Sequence, residues 1–226
     1  MLDYYINQLK SMLYVAPVVL LAISMHEFAH GYVSYKMGDP TPKLDGRLTL
    51  NPFKHLDVAG TLCLLVFHMG WAKPVRINTA YYKNKKRGTV LVSLAGPLMN
   101  FAIAFLSILI YGILAKYGNS NSIVVYMAGM LSYYSAVVNI GLGLFNLIPI
   151  PPLDGSNVLS ELWSGVEQFY LKIRPYRSMI LVVLLVSGIL SRPLNMANHV
   201  MLNGMWKVVQ TFLNIGVATG GTGGYI

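Results

Sequence analysis

The sequence predicts an all-α polytopic membrane protein. It should have a three-helix core, further C-terminal helices, and a short re-entrant or membrane-associated β-hairpin region after the first core helix. Three observations carry this prediction. The 226 residues are 55% hydrophobic and 11% charged, with a mean hydropathy of +0.55, a balance that belongs to chains crossing a bilayer several times. Three apolar stretches, 12–35, 88–115 and 123–148, each reach the roughly 20 residues that a spanning helix needs. Ten of the 17 Lys and Arg residues fall within 36–87, and Lys172, Arg174 and Arg177 mark 156–177, whereas 116–122 holds one lysine. The positive-inside rule makes the first two segments cytoplasmic and the third external. The net charge of +9 is therefore read as facing anionic lipid, not nucleic acid.

The elements follow in order. The N-terminus carries Asp3 and other polar residues with no small-residue cleavage site after the apolar run, so the first span is expected to stay in the mature protein. Residues 12–35 form that helix, about 36 Å long at 1.5 Å per residue, and Gly38, Pro40 and Pro42 end it. Residues 44–51 and 74–82 alternate apolar and polar side chains and read as strands. Between them, 56–71 is apolar but short and is expected to dip into the membrane and return. Residues 83–87 are a basic anchor at the membrane surface. The second span contains Pro97, which should kink it. The third span ends in the proline-rich run from Asn146 to Gly155. Residues 156–177 are expected to be a mixed loop, 178–190 a short apolar segment and 194–215 a weaker helix. One domain should cover 1–217, with a Gly-rich tail at 218–226. The single cysteine, Cys63, excludes an intrachain disulfide and a cysteine zinc cluster.

The chemistry centres on Ala22-Ile-Ser-Met-His-Glu-Phe-Ala-His-Gly31. His26 and His30 are four residues apart, so one helix face can present both to a single metal ion. Glu27 adjoins the first histidine, where a carboxylate can take a proton from water that the metal activates. Ionisable groups are costly at membrane depth and signal function there. A catalytic zinc site ordinarily takes three protein ligands. Only Glu27 and Asp154 are acidic within or beside the apolar spans. If 12–35, 88–115 and 123–148 each cross once and 56–71 does not, Asp154 and the histidines share the cytoplasmic half of the bilayer. Asp154 is then placed to be the third ligand, the alternative being an ordinary interfacial Pro-Pro-x-Asp-Gly turn. His55, His68 and His199 are read as loop or structural residues. Asn100 and Asn146 are amides at membrane depth near helix breaks, and two readings stand for them. One is hydrogen bonding between helices; the other is contact with a substrate backbone or a developing oxyanion.

Taken together, His26-Glu-Phe-Ala-His30, Gly46-Arg-Leu-Thr-Leu-Asn-Pro52, Gly70-Trp-Ala-Lys-Pro-Val75, Gly96-Pro-Leu-Met-Asn100 and Asn146 through Gly155 resemble the site-2 protease family of intramembrane zinc metalloproteases. The resemblance covers roughly residues 15–160. It implies zinc held by His26, His30 and Asp154, with Glu27 as general base and Asn100 near the substrate or intermediate. It also implies a transmembrane protein substrate, a lipid bilayer as surroundings, and an active site in the cytoplasmic half of a prokaryotic cell membrane. The chain would be a minimal member, without PDZ or CBS domains. An unwound substrate could pair with the strand expected near 74–82 by β-augmentation. Two other classes are compatible with parts of this pattern. A metal or ion transporter also carries His and acidic groups in the membrane, but needs no Glu beside the first His. An inactive scaffold would have no use for a complete set of ligands and base.

Overall fold

In the computed structural model, residues 2–55, 57, 73–119 and 121–215 are described. Helix α1 (Leu2–Lys36) includes the whole of the predicted first helix and carries Pro17 within it. Its end is made by Gly38, whose φ of +106° suits a residue without a Cβ, and by the Asp39 N–H, which returns 3.1 Å to the Ser34 carbonyl. A single turn, α2 (Thr41–Leu44), follows.

The two predicted strands are not formed, and no strand occurs among the described residues. Residues 44–51 complete α2 and continue as a turn and irregular chain, with Gly46 at φ +65°. Residues 73–78 are irregular and 79–81 form a 3-10 turn whose start is capped by the Asn78 side chain. The physical reason lies in where the backbone donors go. Pro74 has no N–H, the Val75 N–H is taken by the Glu27 carboxylate at 2.9 Å, and the Asn78 N–H by Asp39 at 2.8 Å. With these two N–H groups on distant side chains and those of Ala80, Tyr81 and Tyr82 bonded within the turn itself, the segment has few donors left for a ladder partner. The re-entrant segment expected at 56–71 lies, apart from Asp57, outside the described residues.

Helix α3 (Lys85–Tyr117) starts at an Asn84 cap, which accepts the Arg87 N–H at 2.9 Å, and runs on through Pro97. The basic anchor is thus largely its first turn. Helix α4 (Ile123–Asn146) follows a short polar connection. The mixed loop expected over 156–177 is instead helical in α5 (Asp154–Leu162) and α6 (Ser164–Ile173). Both have apolar residues at helical spacing, a pattern that Gly155, Gly165 and the scattered charges disguise in the sequence. Helices α7 (Arg177–Val186) and α8 (Ser191–Leu213) are the last among the described residues.

Helices α3 and α4 are each long and apolar enough to cross a membrane, and 164–186 with α8 forms a further candidate pair bent by 76°. The chain is an integral membrane protein on this evidence. Helices α1, α3 and α4 pack on one another, and α8 packs on α3 and α4. Ala104 and Ile108 of α3, Ala136 and Ile140 of α4, and Leu202 and Val209 of α8 form the core. Small residues take part in the contact between α3 and α4: Ala104 and Ala136 are buried there, and the Ser107 and Ser135 hydroxyls bond across it at 2.8 Å.

Candidate metal centre

One helix, one proline-rich turn and one glycine bring the site together. The i, i+4 spacing in α1 sets the His26 and His30 rings at a centroid distance of 4.6 Å, nearly perpendicular at 82°, with their Nε2 atoms 3.0 Å apart. Past the end of α4, the turn through Pro149, Pro151 and Pro152 delivers Asp154 as the first residue of α5. Its Oδ2 lies 3.1 Å from His26 Nε2 and 3.2 Å from His30 Nε2. The helix N-terminus favours the charged form of such a carboxylate. The turn is braced by the Tyr170 hydroxyl, which donates to the Pro149 carbonyl at 2.6 Å, and by Ser156, which donates to Leu153 at 2.6 Å.

Both histidines are buried, and each has its other nitrogen occupied. His30 Nδ1 lies 2.7 Å from the Val92 carbonyl of α3. A carbonyl can only accept, so His30 carries a proton on Nδ1, and in the neutral imidazole its Nε2 is a lone pair. His26 Nδ1 lies 2.6 Å from Asn100 Oδ1. Gly96 of α3 lies directly beneath the two rings. A Cβ there would come within 2.6 Å of His26 Cε1 and closer still to His30 Nε2, so the site requires that position to be bare.

These residues fit a metal ion. His26, His30 and Asp154 offer ligand atoms that all lie within 4.8 Å of one another. Asp154 Oδ2 is buried and accepts no hydrogen bond, although the two imidazole nitrogens stand within ion-pair distance. A buried carboxylate oxygen facing imidazole lone pairs is repulsive and costly unless a cation sits among them. Two imidazoles and a carboxylate are a donor set suited to zinc, with a position left for substrate or water.

The other predicted residues are distributed as follows. Glu27 is half-buried, with Oε2 accepting the Val75 N–H. Asn100 is fully buried, and its amide is engaged by His26 Nδ1, the Ala22 carbonyl at 3.3 Å and Asn139 Oδ1 at 2.8 Å. Asn146 donates to the Leu142 carbonyl of its own helix at 2.9 Å. His55 is buried away from the cluster, with Nε2 on the Thr49 carbonyl and its own carbonyl accepting the Lys73 N–H. His199 is exposed on α8, and His68 lies outside the described residues. Sequence reasoning did not single out Asn139, and it quoted Val75 and Gly96 only as members of longer motifs, without a role of their own. Asn139 shares with Asn100 a polar amide inside an apolar span, but has no helix break beside it.

A second buried polar cluster lies outside the spans. Asp39 is fully buried. Its carboxylate accepts from the Ser34 hydroxyl at 2.8 Å and from the Thr41 and Asn78 N–H groups at 2.9 and 2.8 Å. Burial pushes this carboxyl up, and these donors more than offset it, holding it below the ordinary carboxylate range. Ser34 also bonds the Tyr82 hydroxyl at 2.7 Å. Asp39 thereby ties the end of α1 to the segment that reaches Glu27 through Val75.

The model of peptidase family M50 matches residues 112–188. The chain is 38% identical over 182 residues to the "Putative zinc metalloprotease YwhC" of Bacillus subtilis (strain 168), an alignment covering 79% of this chain and 83% of that protein. The chain belongs to peptidase family M50, the site-2 protease family. Membership of this family makes it a metalloprotease. It is also 27% identical over 180 residues to the "Putative zinc metalloprotease Rip2" of Mycolicibacterium smegmatis (strain ATCC 700084 / mc(2)155), covering 76% of this chain and 66% of that protein. The archaeal "Putative zinc metalloprotease MJ0611" of Methanocaldococcus jannaschii is 33% identical over 104 residues, covering 45% of this chain and 49% of that protein. The chain spans less than two thirds of the Rip2 and MJ0611 lengths. No solved structure matches it. The M50 match contains Asn139, Asn146 and Asp154 but not His26, Glu27 or His30, whose grouping rests on their geometry.

Proposed function

We propose that this chain is an intramembrane zinc metalloprotease that hydrolyses peptide bonds within or near transmembrane segments of other membrane proteins, as in regulated intramembrane proteolysis. The observation that carries the reading is the convergence of His26 Nε2, His30 Nε2 and Asp154 Oδ2 at 3.0–3.2 Å, with no donor bonded to that carboxylate oxygen. In this reading α1, α3 and α4 each cross once. Segments 36–87 and 156–177 are cytoplasmic, in keeping with their Lys and Arg content. The site then lies in the cytoplasmic half of a prokaryotic cell membrane.

His26, His30 and Asp154 hold the zinc. When bound, zinc acidifies water and polarises a carbonyl. Glu27, one residue from His26, accepts the proton of the attacking water and returns it to the departing amine. The Val75 N–H holds one oxygen of that carboxylate at 2.9 Å, which orients it and anchors the 73–78 segment over the site. A helical substrate must unwind to expose its carbonyl, because its own helix bonds cover it.

The test is Glu27→Gln in detergent-purified protein, scored as cleavage of a transmembrane substrate per zinc-loaded molecule. Gln keeps the shape but cannot take the proton. Zinc content should stay near wild type while turnover falls about 10²–10⁴-fold, the range of general-base catalysis. A specific activity within about threefold of wild type, well under that range, removes Glu27 as the base.

A further inference from the structure

Asn139 touches neither the histidines nor Asp154, yet it decides what His26 can do. A side-chain amide has one accepting end and one donating end, and its direction in a buried site is set by what surrounds it. Two backbone carbonyls set that direction here. The Ser135 carbonyl lies 2.8 Å from Asn139 Nδ2, and the Ala22 carbonyl lies 3.3 Å from Asn100 Nδ2. Neither can donate. The first forces Asn139 to turn its NH2 toward Ser135 and its Oδ1 toward Asn100. Asn100 then meets two acceptors, Ala22 O and Asn139 Oδ1, and must give both its NH2. That leaves Asn100 Oδ1 for His26 Nδ1 at 2.6 Å. An oxygen acceptor at that position requires a proton on Nδ1, so in the neutral imidazole Nε2 of His26 is a lone pair aimed at His30 and Asp154.

The reversed arrangement is excluded by its own contacts. Turning Asn100 over would set its oxygen against Ala22 O and Asn139 Oδ1. Turning Asn139 as well would set its oxygen against Ser135 O at 2.8 Å. Asn100 is fully buried and Asn139 only 1% exposed, so water is not there to relieve either clash, and an unmade buried hydrogen bond is costly. His30 reaches the same tautomer through one carbonyl, Val92 O. His26 faces a different part of the bundle and needs a relay of two amides from α3 and α4.

We propose that Asn139 is a positioning residue for the metal site. It transmits the polarity of the Ser135 carbonyl through Asn100 to His26, fixing the tautomer in which both histidines present Nε2 to the ion. This rests on the assignment of His26, His30 and Asp154 as metal ligands. Outer partners of ligating histidines typically change metal affinity 10–100-fold when removed.

The test compares Asn139→Leu with Asn139→Asp in the purified full chain, with zinc as the probe in competition against a chelator. Leu matches the volume and removes both polar ends. A buried Asp taken up in its neutral form keeps both, a carbonyl oxygen toward Asn100 and an O–H toward Ser135. The relay predicts zinc affinity lowered about tenfold or more in Asn139→Leu and held within about threefold of wild type, below that outer-partner range, in Asn139→Asp. A packing role predicts the opposite order, because Leu would fill the site and Asp would bury an acid. Wild-type affinity in Asn139→Leu, or a weaker site in Asn139→Asp than in Asn139→Leu, overturns the proposal.

A second readout needs no variant at residue 139. In 15N-histidine-labelled wild-type protein, with His26 assigned by its loss in His26→Ala, the metal-free imidazole should carry its proton on Nδ1. A proton on Nε2 overturns the relay, whether or not Asn139→Leu folds. Absence of zinc from the wild-type protein would instead strike at the ligand assignment, with the tautomer still readable in the metal-free chain.

Discussion

Two aspartates at helix edges, Asp39 fully buried and Asp154 half-buried with its Oδ2 out of solvent, are treated in opposite ways. Asp39 follows α1, and its carboxylate accepts from a hydroxyl and two backbone N–H groups. Asp154 opens α5 with a buried oxygen that accepts no hydrogen bond and faces two imidazole nitrogens instead. Both hold carboxylate oxygens away from solvent, and it is not burial that decides their roles. The donors do. A carboxylate whose acceptor sites are filled by the protein is finished as it stands and serves to hold parts together. One whose partners carry lone pairs is incomplete without a cation. The first kind ties the chain over the site; the second is the proposed site.

The comparison is broken most directly by exchanging the acids for amides. Asp154→Asn should lower zinc affinity by more than the roughly 100-fold upper range of an outer partner, since it alters a ligand itself. In excess chelator the same variant should melt no lower than wild type, because a neutral amide is cheaper to bury against lone pairs and can donate to them. Asp39→Asn should do the reverse. It exchanges charge-assisted bonds for weaker ones and leaves an NH2 among donors, a loss of about 1–3 kcal/mol in unfolding free energy, with zinc affinity nearly unchanged. Thermal unfolding with chelator and a zinc competition assay read both quantities. If Asp154→Asn melted lower than Asp39→Asn while keeping its zinc, the roles would be exchanged.

Acidity sharpens the same contrast. Asp39 titrates below the ordinary carboxylate range in the folded chain, because its donors outweigh its burial. Its contribution is therefore fully present above the unfolded value, near pH 4, and is lost as pH falls through the depressed folded value. The difference in stability between wild type and Asp39→Asn should be constant at neutral pH and shrink only in acid. A difference that grew toward low pH would mean that the carboxylate is not the group being stabilised.

Much of this was legible in the residues. Long apolar runs gave the helices that became α1, α3 and α4, since a stretch of that length and hydropathy has few alternatives. His26 and His30 declare themselves by spacing, and Asp154 by being an acid where acids are scarce. The failures have a common cause, which is that local pattern does not record long-range partners. Residues 74–82 alternate like a strand, but their donors are claimed by Glu27 and Asp39, dozens of residues earlier. Residues 156–177 carry enough charge to resemble a loop, yet form two helices, one opened by Asp154 itself. Asn100 was visible as a polar residue at depth, but its contacts with His26 and Asn139 depend on how three helices meet. Asn139 hid in the middle of a span because nothing beside it breaks the helix. The expected dip at 56–71 falls almost wholly outside the described residues.

The central claim is that two imidazoles and one carboxylate meet at a single ion, and X-ray absorption at the zinc edge tests it most directly. Purified protein should hold about one zinc per chain, with two imidazole nitrogens at about 2.0–2.1 Å and the remaining ligands oxygen, without sulfur. His30→Ala should remove one imidazole from that shell, and Asp154→Ala should remove an oxygen or the metal itself. A spectrum with three imidazoles or a thiolate, or one unchanged in Asp154→Ala, would contradict the account.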